Sequence, residues 1–69
     1  MQDRYLAQFW SDPTQRYVTD CAFQDSDEQK AKAIAYVEWI LSGSNAPEAG
    51  RVYDQQEQRV IYQNSNIPF

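Results

Sequence analysis

The sequence predicts an α+β fold of order ββαββ, a four-stranded antiparallel sheet with one helix packed on one face. Two observations carry this. Pairs of strand-like segments separated by turns occupy residues 5–23 and 51–63, and one amphipathic segment, residues 25–42, stands between them. A three-stranded sheet with a frayed fourth strand is the variant this pattern allows. The 69 residues are read as one small domain ending in a tail, residues 64–69.

Tyr5 to Trp10 (YLAQFW) is rich in aromatic and other strand-forming residues. Ser11-Asp12-Pro13-Thr14 is a turn signal, because proline presets φ after aspartate. Arg16 to Phe23 (RYVTDCAF) alternates, placing Tyr17, Thr19, Cys21 and Phe23 on one face and Val18, Asp20 and Ala22 on the other.

The helix start is marked by Asp25 or Ser26 as a cap, with Glu28 or Gln29 three residues on. Asp27 and Glu28 suit the positive end of the helix dipole. With Ile34 at the origin and about 100° per residue, Lys30, Ala33, Ile34, Val37, Ile40 and Leu41 form one stripe, the core face. Tyr36 and Trp39 fall on the far side with Lys32, and Ile40 borders them. Gly43 offers a left-handed cap, and residues 44–50 read as a loop. Arg51 to Asp54 and Arg59 to Gln63 then form the second hairpin around Gln55-Gln56-Glu57-Gln58. That turn lacks glycine, which favours a four-residue loop. The apolar end Ile67-Pro68-Phe69 is expected to dock.

Ten acidic against six basic residues give a net charge of −4. This argues against duplex DNA or an anionic membrane as partner, since both demand a positive face. It suits a partner with a basic surface. No apolar run approaches the ~18 residues of a membrane span, no signal peptide is visible, and a lone cysteine fits a reducing compartment, so the chain is expected to be cytoplasmic. It begins at a methionine and carries no visible tag, which suggests a complete small gene product.

Chemistry is sparse. There is no histidine, so the commonest general base and metal ligand is missing. Cys21 sits on a strand and reads as a small hydrophobe. Asp25-Ser26-Asp27-Glu28 resembles the start of a calcium loop, but Lys30 and Tyr36 stand where its glycine and final glutamate belong, so helix capping is the better reading. No catalytic, cofactor or metal residue is expected, and the chain is read as a non-enzyme.

What remains is contact. Tyr36 and Trp39, with Lys32 and Ile40, form an aromatic anchor of the kind that dominates interfaces. Folding of Trp39 under the loop at 44–50, or beneath Ile67-Pro68-Phe69, is the competing expectation. The uncovered sheet face is a second surface, lined by Tyr17, Tyr53 and Tyr62. The reading is a small acidic interaction protein that regulates or inhibits a larger protein or complex: a regulator, an assembly factor or a phage-type inhibitor. Homodimerisation through either face is compatible with it. The alternative is a single-stranded RNA binder that stacks bases on the tyrosines, with Arg4, Arg16, Arg51 and Arg59 framing the face. The net charge and the lack of an aromatic-rich RNA-binding string count against this alternative.

Overall fold

The computed structural model describes residues 3–65. The order is β1 (Asp3–Ser11), β2 (Arg16–Gln24), α1 (Asp27–Leu41), β3 (Ala49–Asp54) and β4 (Arg59–Ser65). The four strands make one antiparallel sheet in the order β2-β1-β3-β4, so β1 and β3 fill the centre and β2 and β4 form the edges. This is the α+β, ββαββ arrangement read from the sequence. β1, β3 and β4 run two or three residues longer than their apolar patterns and β2 one, because backbone pairing continues through polar residues such as Asp3 and Asn64.

Each hairpin closes through four residues, 12–15 in the first and 55–58 in the second. Both turns end on a glutamine with φ of 55°, Gln15 and Gln58. The left-handed positions therefore lie in the hairpins and not at the helix end. No glycine takes a positive φ, so Gly43 does not supply the cap expected of it. Instead the Ser42 N–H bonds the Glu38 carbonyl at 3.1 Å, and the Ser42 hydroxyl donates to the Trp39 carbonyl at 2.7 Å. At the other end Ser26 is the cap, its hydroxyl accepting from the Gln29 N–H at 3.0 Å.

The core is small-residue packing between one helix and one sheet face. Ala33, Val37 and Leu41 of α1 bury against Tyr5, Ala7 and Val52. Gly50 on β3 is part of the same fit. A Cβ there would stand 2.9 Å from both the Phe9 ring and Val37 Cγ1. Its missing side chain is the space those two groups occupy. Lys30, counted in the core stripe from the sequence, is exposed.

Three single-residue bulges decide which side chains face the helix. Between paired positions on neighbouring strands, Arg4 on β1, Asp20 on β2 and Ile61 on β4 are the extra residues. Such a bulge switches the alternation of everything beyond it. Tyr17 pairs with Trp10, and Thr19 with Gln8, on the uncovered face; after Asp20, Cys21 and Phe23 turn towards the helix and pack beside the core. The four residues thus do not share one face. Tyr62, opposite Val52, likewise packs against the core on the helix side, not on the open face.

One ion-pair network ties the ends of the elements together. Asp54, 2% exposed, accepts from Arg4 Nε and Nη2 at 3.0 and 2.9 Å and from the N–H groups of Gln56 and Glu57 at 2.9 and 3.2 Å. Arg4 Nη1 reaches Asp25, just before the helix cap, at 2.9 Å. The first strand, the second turn and the helix start are joined through one guanidinium.

Candidate protein-binding surface

Tyr36 is the hub of an aromatic group on the helix side of the sheet. Its ring lies 6.1 Å from each of Phe9, Phe23 and Trp39. Its hydroxyl donates to the Asp20 carboxylate. That hydrogen bond, with burial adding to it, pushes the phenol up to about 12. Tyr36 is therefore half-buried and tied to β2; the expectation that it lies on the outer helix face is corrected. On a wheel of about 100° per residue it sits one residue before buried Val37, on the flank of the core stripe. A tyrosine is long enough to reach the sheet from there.

Trp39 is different. It is 68% exposed, and the loop at 44–50 does not cover it. Residues 67–69, the other proposed cover, lie outside the described residues. Among the described residues only Trp39 and Val18, at 46%, are large hydrophobics left exposed. The two meet one aromatic group: Val18 stands opposite Phe9 in the sheet, Phe9 touches Tyr36, and Tyr36 touches Trp39. Phe9, Val18 and Asp20 were missed in the sequence, because their meeting with Tyr36 depends on which sheet face the helix covers, and local alternation leaves that open. Of the other residues expected here, Lys32 is exposed and paired with Glu28 at 3.4 Å, and Ile40 is half-buried. The exposed carboxylate of Asp20 belongs to the same region through its bond to Tyr36.

The open sheet face holds Tyr17 and Tyr53 but not Tyr62. Its rings are largely engaged within the chain. The Arg51 guanidinium lies 4.0 Å above the Tyr17 ring, and Trp10 meets that ring edge-on at 5.4 Å. Arg51 Nε donates to Gln8 at 2.8 Å, Gln8 donates to Thr19 at 3.1 Å, and Gln63 donates to the Tyr17 hydroxyl at 3.3 Å. The arginines do not frame this face together: Arg4 is bound to Asp54, and Arg59 to Glu57 at 2.7 Å.

Cys21 is half-buried beside the core. Among the described residues, no three carboxylates or thiols gather closely enough to hold a metal ion. Among the described residues no helix is long and apolar enough to cross a membrane. The chain matches no known protein family, no curated protein and no solved structure.

Proposed function

We propose that the chain is a small, non-enzymatic interaction module that binds a larger protein through Trp39 and the aromatic group behind it, and so regulates or inhibits that protein. The observation that carries this is Trp39 itself, a tryptophan 68% exposed on a ring that is anchored to the sheet. An exposed aromatic held in place is a good hot spot, since little freedom is lost when it docks. The carboxylate of Asp20 and the net charge of −4 favour a partner whose pocket for Trp39 has a basic rim.

Affinity capture from a native lysate with wild type and Trp39→Ala in parallel tests the reading, with circular dichroism confirming that both fold. The expected result is one large protein retained by wild type, eluted by salt, and lost from the variant. Equal capture by both forms moves the contact off the helix face; capture of nucleic acid by the wild type turns the function towards the single-stranded RNA alternative.

A further inference from the structure

We propose that two copies of this chain pair through their β2 edges, antiparallel about a twofold axis at Val18. β2 is an outer strand with β1 on one side only. Such an edge presents unpaired N–H and C=O groups to any strand that fits it. The sequence of this edge is complementary to itself. A twofold axis at Val18 sets Val18 against its copy, Tyr17 against Thr19, and Arg16 against Asp20. Every contact off the axis of a twofold interface occurs twice, so two arginine–aspartate pairs form.

The side chains are ready for this. The Arg16 side chain is exposed and makes no hydrogen bond or ion pair with the described residues. Asp20 is exposed, and its Oδ2 accepts the Tyr36 hydroxyl, which steadies the carboxylate and leaves Oδ1 without a partner among the described residues. Val18 faces the helix side opposite Phe9, and Asp20 reaches Tyr36 on that side as well. Arg16 follows by alternation. Pairing thus brings the charges together on one face and covers Val18, 46% exposed in the single chain.

Axes at Tyr17 or Thr19 set neither Arg16 nor Asp20 against an opposite charge, and two further registers oppose like charges. An axis at Asp20 opposes two aspartates, and one at Arg16 opposes two arginines. The other edge, β4 (RVIYQNS), has Arg59 but no acid to meet it. The bulge at Asp20 ends the regular stretch, so pairing spans residues 16–20 of each copy. An interface of this size gives a weak, reversible dimer.

Sedimentation analysis up to about 1 mM tests the pairing. Wild type is expected to dimerise. Arg16→Asp and Asp20→Arg are each expected to raise the dimer Kd at least about tenfold. Mixing the two variants should restore association, because the mixed pair is complementary at both contacts. Arg16→Asp alters a side chain with no hydrogen bond or ion pair among the described residues, so it carries the test alone if Asp20→Arg does not fold. A wild type that stays monomeric throughout overturns the proposal. So does an Arg16→Asp variant that dimerises as tightly as wild type, or two folded variants that ignore each other when mixed.

Discussion

Asp54 and Tyr36 are the two titratable side chains whose surroundings most affect stability, and they act at opposite ends of the pH scale. Hydrogen bonds from Arg4, with the turn N–H groups adding to them, hold the Asp54 carboxyl down to about 2. An aspartate in the unfolded chain titrates near ~4. The stabilisation is therefore complete above about pH 5 and is lost as pH falls from about 4 to about 2. Asp54→Ala removes the acceptor and leaves Arg4 half-paired, which should cost about 3 kcal/mol in urea denaturation at neutral pH and flatten the acid limb of the stability profile. Tyr36 runs the other way. Its phenol is raised to about 12 by the hydrogen bond to Asp20 and by burial, so its contribution is complete below about pH 9 and fades as pH rises from about 10 to about 12. Ultraviolet titration of wild type against Tyr36→Phe should show one late-ionising tyrosine missing from the variant.

At the scale of the elements, the helix and the four strands were legible because each has a local signature. Ser26 with Gln29 three residues on marks the helix start, and Asp12-Pro13 marks the first turn. The bulges at Arg4, Asp20 and Ile61 were not legible, since nothing in a residue's own chemistry announces that it will be skipped by its neighbour strand. That is why Tyr62 lands beside the core and Cys21 and Phe23 part from Tyr17. The Arg4–Asp54 pair spans 50 residues of sequence and depends on β1 lying next to β3, a strand order that local pattern leaves open. Helix–sheet spacing depends on Gly50 in the same way. Gly50→Ala forces a methyl group against Phe9 and Val37 and should cost about 2 kcal/mol in thermal or urea unfolding. Gln58→Gly relieves a left-handed residue in the second turn and should stabilise by up to about 1 kcal/mol in the same assay.

For the whole molecule, burial is concentrated on one sheet face, and six of the described hydrophobic residues form the buried core. A fold this small leaves a large share of its surface exposed, yet its exposed large hydrophobics among the described residues are only Trp39 and Val18. Trp39 was visible in the sequence as a residue off the core stripe; its anchoring by Tyr36 was not, because that needs the sheet beneath it. Trp39→Ala should shift stability by no more than about 0.5 kcal/mol, which separates loss of binding from loss of fold. The most direct measurement is the Kd of the captured partner for wild type, Trp39→Ala on the helix side and Tyr53→Ala on the open sheet face, each checked by circular dichroism. Binding through the anchored tryptophan predicts a loss of about thirtyfold or more for Trp39→Ala and near-wild-type affinity for Tyr53→Ala. The reverse order in two folded variants contradicts it.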